Sequence, residues 1–321
     1  MEPILLNVAI LFLLLFALGK GAAWAVRSAV ALSRRAGLAE FVVSIVVVTA
    51  ISILPETIIS ILSAIHGIPS LGLGTLLGSN VADLTLVFGV VALAARRKIG
   101  VELTFIKKDY LFLGFLLPPL ILGFTGYFSR LDGILLVLAS IIFFYIMLKA
   151  HPRKKERENG IYKISAAKEV LILAASLIVM GGSAYYGVDY AKDIAENIGI
   201  SHALVGLIIV AAGTTLPELI FSIRAVRRRH ASLALGDIFG TVITDANLVL
   251  GITALIHPFA FNPRLIIVTG IFMLLAGLLS LELLRSDRAL TKSEGVLLLL
   301  FYVLFIMVEF ILRDWTPLIP R

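Results

Sequence analysis

One pattern occurs twice in this chain at a constant separation of 162 residues. Leu54-Pro55-Glu56 recurs as Leu216-Pro217-Glu218, and Gly78-Ser79 with Asp83 recurs as Gly240-Thr241 with Asp245. The acids stand 27 residues apart in both copies. No gap is needed to align Ser60 with Ser222, Gly74 with Gly236, Leu86-Val87 with Leu248-Val249, and Gly89 with Gly251. The duplication predicts a fold of two related halves, each of which must place two acids inside apolar sequence.

The surroundings of those acids decide the class of fold. Apolar residues make up 60% of the chain and charged residues 15%, and the mean hydropathy is +1.03. Soluble domains do not have this composition, so the sequence reads as an all-α membrane protein. Spanning a hydrocarbon layer of ~30 Å takes roughly 20 apolar residues per helix. Ten stretches qualify: 4–26, 39–65, 70–95, 109–127, 131–149, 168–190, 202–224, 232–256, 264–283 and 294–312. The first lacks a basic leader and a small-residue cleavage site, so it is read as a span and not as a signal peptide.

Ten spans divide into five per repeat, and five is odd, so the second copy enters the membrane in the opposite sense. The expected organisation is a first five-helix repeat over 1–150 (motif 41–92), a cytoplasmic linker over 151–167, and a second, inverted five-helix repeat over 168–321 (motif 203–254). Basic residues set the orientation. With both termini outside, the inward loops hold 22 of the 28 Lys and Arg and the outward loops only five, Arg130, Lys192, Arg264, Arg313 and Arg321. The formal charge of +7 therefore records topology at a cell membrane crossed many times, and membrane lipid is the surrounding partner. No nucleic acid is expected. The Arg227-Arg228-Arg229 run reads as an inward anchor.

Acidic side chains are costly within a bilayer and mark ion or substrate paths. In inverted-repeat folds such paths cross the midplane where broken helices expose backbone dipoles. Pro55 and Pro217 each lack an amide hydrogen, which frees carbonyls near Ile51 and Gly213. Gly72, Gly74, Gly78, Gly236 and Gly240 allow either close helix contact or unwinding. Carboxylates, hydroxyls and carbonyls are hard oxygen ligands, suited to Ca²⁺, Mg²⁺ or Na⁺. Cysteine is absent, which removes disulfides, thiolate metal sites and cysteine nucleophiles. Asp237 has no acidic counterpart, since Thr75 stands at its repeat position, and both a structural and a functional reading stay open. Glu309, near the end of the last span, reads as interfacial.

These motifs resemble the two α-repeats of the calcium/cation antiporter superfamily, more specifically those of prokaryotic sodium/calcium exchangers. Gly213-Thr214-Thr215-Leu216-Pro217-Glu218 is similar to that family's Gly-Thr-Ser-Leu-Pro-Glu signature, and the resemblance covers nearly the whole chain. It implies no enzyme and no cofactor, but exchange of Ca²⁺ for Na⁺ by alternating access, with spans 1 and 6 sliding across a rigid core. Glu56 and Glu218 would be the central calcium ligands, shared with sodium, and Asp83 and Asp245 would flank them. Hydroxyls of Ser52, Ser79, Thr214, Thr215 and Thr241, and carbonyls of Thr49 and Ala211, would complete the ligand set. A single copy is expected to function as a monomer.

The first repeat departs from the pattern. Ile51-Ser52-Ile53-Leu54-Pro55-Glu56 has isoleucine where the family has its glycine and its second hydroxyl residue, and Asp83 stands where such exchangers often have asparagine. One sodium site is therefore lost or rebuilt. Four crowded carboxylates repel one another, so at least one is expected to bind a proton when no cation is present, and calcium/proton antiport is the alternative within transport. A cation channel would pass current without a counter-ion. An intramembrane aspartyl protease needs paired aspartates, and Gly236-Asp237 is faintly similar to such a motif, but the Pro-Ala-Leu companion is missing and duplicated Leu-Pro-Glu elements have no role there.

Overall fold

The structure is a computed structural model that describes residues 2–35, 49–95, 99–100, 109–150, 165–227, 231–286 and 289–312. The start of the first motif at 41–48, most of the linker, and the basic residues at 96–98, 107–108, 228–229, 288, 313 and 321 lie outside the described residues. Helices account for almost all of what is described.

The first helix, α1, runs over Glu2–Arg35, and a second long helix, α8, over Ala166–Ile198. Between them lie α2 (Thr49–Ser52), α3 (Leu54–Ile65), α4 (Pro69–Ala82), α5 (Phe88–Ala94), α6 (Asp109–Gly123) and α7 (Arg130–Ala150). After α8 come α9 (His202–Val205), α10 (Ala211–Thr214), α11 (Leu216–Arg227), α12 (Ala231–Ile243), α13 (Leu250–Ile256), α14 (Pro263–Ser286) and α15 (Lys292–Ile311). Seven helical stretches among the described residues are long and apolar enough to cross a membrane, and Thr49–Ile65 and Leu111–Gly123 are shorter apolar ones. The chain is an integral membrane protein.

Helices α1 and α8 exceed the expected spans 4–26 and 168–190. At 1.5 Å per residue, 34 residues extend about 51 Å, well beyond a hydrocarbon layer of ~30 Å, so such a helix tilts or projects past it. The stretch of α1 beyond its apolar run, residues 27–35, is helix-compatible, since it contains neither proline nor glycine. In α8 the chain stops at Gly199, which takes a left-handed φ of 69° as its cap.

Burial is distributed as a bilayer requires. Leu6, Phe12, Leu13 and Phe16 of α1, Leu131, Leu135 and Ile142 of α7, and Leu300, Leu304 and Met307 of α15 face outward. Glu56, Asp83, Glu218, Asp237 and Asp245, with the hydroxyls of Ser52, Ser79, Thr214 and Thr241, lie inside. Two separate apolar clusters hold the helices together. Leu11, Leu15, Leu18 and Ala22 of α1 meet Met180, Ala184 and Val188 of α8, together with Ile59, Leu71 and Val210. A larger cluster joins α4, α5, α6, α12, α14 and α15 through Leu77, Phe88, Phe112, Phe239, Met273 and Phe305. The α1–α8 pair thus packs on the remaining bundle through its own set of contacts.

Glycine serves close approach. A Cβ at Gly74 would collide with the carbonyl oxygen of Ala203, one at Gly78 with that of Leu207, and one at Gly206 with that of Leu71. Helix α4 remains continuous through Gly72, Gly74 and Gly78, so of the two roles read from the sequence, contact applies there and unwinding does not. Because the obstacle is backbone, no rotamer change relieves it. Gly78→Ala is expected to cost about 1–3 kcal/mol as overpacking, measured as a lower unfolding midpoint in detergent. An unchanged midpoint would show that the two helices part freely at this level.

Two short antiparallel clasps join distant parts of the chain. β1 (Ile99–Gly100) pairs with β4 (Ala289–Leu290), and β2 (Tyr127–Phe128) pairs with β3 (Phe259–Ala260). Helix α6 separates β1 from β2, which puts the clasps at opposite ends of the bundle.

Candidate cation site

The two Leu-Pro-Glu segments fold alike. The first breaks between α2 and α3 at Ile53, the second between α10 and α11 at Thr215, again 162 residues apart. Each break precedes the proline by two residues. Proline supplies no amide hydrogen and crowds the preceding turn, so the helix restarts with Pro55 or Pro217 in its first turn. The restart puts Glu56 and Glu218 in the first turn of α3 and α11, where the helix dipole favours negative charge.

The flanking acids have a matching environment of their own. A π-helical segment, Asp83–Val87, follows α4, and another, Thr244–Val249, follows α12. Asp83 and Asp245 lie in their first turns. Such wide turns recur at functional sites because they displace a side chain and its carbonyl from the regular ladder. A third π segment, Gly206–Val210, precedes α10.

All four acids are at most 1% exposed. Both carboxylate oxygens of Asp83, Glu218 and Asp245, and Oε2 of Glu56, have no hydrogen-bond partner among the described residues. Charges interact across the two motifs: Glu218 lies near Glu56 and Asp83, and Asp245 near the same two. The Thr214 hydroxyl sits beside Glu56, and that of Ser79 beside Asp245. Each motif therefore offers a hydroxyl to an acid of the other. Buried carboxylates without basic partners are a strong liability in low dielectric, which either a proton or a cation would remove.

The remaining sequence-derived candidates differ in readiness. Thr49 and Thr241 are buried, and their Oγ1 atoms have no partner among the described residues. Thr214 and Thr215 donate to the carbonyls of Ala211 and Ala212 at 3.1 and 3.2 Å, and Ser79 to that of Leu76 at 3.1 Å. The Ala211 carbonyl also accepts the Thr215 amide at 3.1 Å, so it opens to an ion only when the Thr214 hydroxyl turns away. The Thr49 carbonyl accepts the Ile53 amide and keeps a lone pair free. Among the described residues no three acidic or histidine side chains converge tightly enough to form a preformed metal cage. To hold an ion, these candidate groups would have to draw together.

Two readings from the sequence gain detail. Asp237, whose role was open, is fully buried and lies close to Asp83 and Glu218, making a fifth carboxylate. Glu309, near the end of the last span, is 1% exposed and bonded to Arg264 and Thr269. Sequence reasoning also missed Tyr302 of α15, which lies near Asp83, and Asn247, whose amide donates to the Phe115 carbonyl at 2.9 Å. Tyr302 lies outside both motifs, and Asn247, within the second, aligns with Thr85, so no repeated residue pointed to either.

The profile of the family described as sodium/calcium exchanger protein matches residues 6–149 and again 168–311, two segments displaced by the same 162 residues. Sodium/calcium exchanger MaX1 of Methanosarcina acetivorans is 29% identical, over 96% of this chain and 99% of that protein. Inner membrane protein YrbG of Escherichia coli is 30% identical, over 72% of this chain and 74% of that protein. A solved structure of the sodium-calcium exchanger NCX_Mj, soaked with 10 mM Na⁺ and zero Ca²⁺, superposes with a TM-score of 0.68 at 27% identity, covering 95% of this chain and 99% of that one. Matched twice and over most of its length, the chain belongs to the sodium/calcium exchanger protein family.

Proposed function

We propose that this protein exchanges Ca²⁺ for Na⁺ across the cell membrane by alternating access, as a ten-span bundle of two inverted five-helix repeats. The observation that carries the reading is the buried, unpartnered set of Glu56, Asp83, Glu218 and Asp245, supplied in matching pairs by the two motifs. Only mobile cations can balance such a set while leaving it free to change ions. Two matching helix breaks, two matching π segments and two clasps at opposite ends support the inverted arrangement.

In this reading Glu56 and Glu218 hold the calcium ion centrally. Asp83, Asp245, the hydroxyls of Ser52, Ser79, Thr214, Thr215 and Thr241, and the carbonyls of Thr49 and Ala211 flank it. Six to eight oxygens at ~2.3–2.6 Å suit calcium and leave magnesium, which keeps its waters, at a disadvantage. Sodium competes for the same oxygens, and that competition couples the two fluxes. Both termini lie outside, the 151–167 linker is cytoplasmic, and one chain suffices. The separate contacts that seat the α1–α8 pair on the bundle suit a pair that moves against a fixed core.

The test is radioactive calcium uptake into proteoliposomes loaded with sodium, against vesicles with an outward proton gradient and vesicles with neither. Uptake that needs internal sodium supports the exchange. Uptake driven by the proton gradient alone would replace sodium by protons as the coupling ion.

A further inference from the structure

Among the positions at which the two motifs differ, two lie close together in space. Ile53 stands where the second motif has Thr215, so the first motif lacks a hydroxyl. Asp237 stands where the first has Thr75, so the second gains a carboxylate. Helix α12, which carries Asp237, packs directly on α2, the segment that ends next to Ile53. Ile53 is buried in the same apolar cluster as Ile238 and Phe239, the neighbours of Asp237.

The oxygens at this contact are unsatisfied. Oδ1 of Asp237 accepts from the Ser52 hydroxyl at 3.5 Å, the long limit of a hydrogen bond. Oδ2 of Asp237 and Oγ1 of Thr49 are buried with no partner among the described residues. A Cβ at Gly240, three residues after Asp237, would sit 2.9 Å from Thr49 Oγ1. The glycine therefore lets Thr49 approach the face of α12 that carries the carboxylate. A purely structural aspartate would have both oxygens engaged. Two oxygens that bind one hard cation at right angles, each at ~2.3–2.6 Å, stand roughly 3.3–3.7 Å apart, and the Ser52–Asp237 separation falls in that range.

We propose that Asp237, Ser52 and Thr49 form a second cation subsite that takes Na⁺, rebuilt from the opposite motif in place of the hydroxyl that Ile53 removes. One carboxylate balances a single positive charge, and hydroxyls and carbonyls supply the other oxygens. A dehydrated divalent ion needs more than one carboxylate and belongs between Glu56 and Glu218 instead. The inference rests on the exchange reading above.

The experiment compares wild type, Asp237→Asn, and Asp237→Asn combined with Ile53→Ser. Sodium dependence of calcium flux and calcium/calcium exchange without sodium are measured in proteoliposomes. The sodium-induced rise in unfolding temperature is measured on purified protein. Asp237→Asn should raise half-saturating sodium about tenfold or more, as expected when an ionised ligand is lost. It should also lower the Hill coefficient for sodium and abolish most of the sodium-induced thermal shift. Half-saturating calcium in calcium/calcium exchange should move far less, and Ile53→Ser should restore part of the sodium response. An unchanged sodium curve in Asp237→Asn overturns the subsite, and so does a loss of calcium/calcium exchange equal to the loss of sodium response. Failure of sodium-driven uptake in the wild type would instead sink the exchange reading, while the thermal shift still reports whether sodium binds at Asp237.

Discussion

Glu218→Gln and Glu56→Gln are each expected to reduce sodium-driven calcium uptake to background while leaving the empty protein as stable as wild type or more so. The substitution keeps volume and removes one charge. Removing one partner from a buried charge pair costs about 3–5 kcal/mol, so half-saturating calcium should rise on the order of a hundred- to thousandfold. The ion-free protein responds in the opposite sense. Five carboxylates are buried there together, and a neutral amide in place of one relieves repulsion among the rest. The gain should be larger at Glu218, whose oxygens have no partner, than at Glu56, which has Thr214 beside it. The paired readout is uptake together with unfolding temperature, each with and without calcium. Calcium should raise the unfolding temperature of wild type and no longer that of either variant. A carboxylate with a structural role would give the reverse, a destabilised protein that still transports. Normal uptake in either variant would remove that glutamate from the site.

What the sequence made legible follows from which forces act locally. The helix breaks at Ile53 and Thr215 were readable because proline acts on its own turn, whatever the surroundings. The burial of Glu56, Asp83, Glu218 and Asp245 was readable because carboxylates within apolar runs have nowhere else to go. The π segments at Asp83 and Thr244 were not, because no residue type specifies a wide turn. Asp237 was ambiguous for a related reason. Its neighbours along α12 are apolar, and the Ser52 hydroxyl that engages it lies 185 positions away in the chain. Repeat alignment, which found the quartet, worked against it, since the method passes over whatever the halves do not share. The glycines of α4 were read as serving either contact or unwinding, and only the Ala203 and Leu207 carbonyls that lie against Gly74 and Gly78 decide for contact.

The pairing of Arg264 with Glu309 was not legible in the sequence, and it supports the second large prediction. By position each belongs to the end of a span, where a charge normally reaches water. Instead Arg264 Nη2 donates to Glu309 Oε2 at 3.0 Å and to the Glu309 carbonyl at 3.1 Å, and Thr269 Oγ1 donates to Oε1 at 2.6 Å. Their side chains are 10% and 2% exposed. The pair forms part of the wall of a recess of about 360 Å³ also lined by Ser70, His202 and Asn262. It ties the start of α14 to the end of α15 beside the β2–β3 clasp. Arg264→Met alone leaves the carboxylate buried with only Thr269 as donor, and Glu309→Met alone leaves the guanidinium buried without its counter-charge. Each should destabilise by about 3–5 kcal/mol, whereas the double replacement should be near neutral or stabilising by ~1–4 kcal/mol, because two charges no longer need desolvation. Unfolding midpoints of the four proteins in one detergent give the coupling directly. Transport by the double variant, assayed below its midpoint, should persist, since no proposed ligand is altered. Single variants as stable as wild type would show that the pair is solvated from the recess and contributes nothing. A double variant as damaged as the singles would show that the recess requires charge, and its role would then lie in the ion path and not in the scaffold.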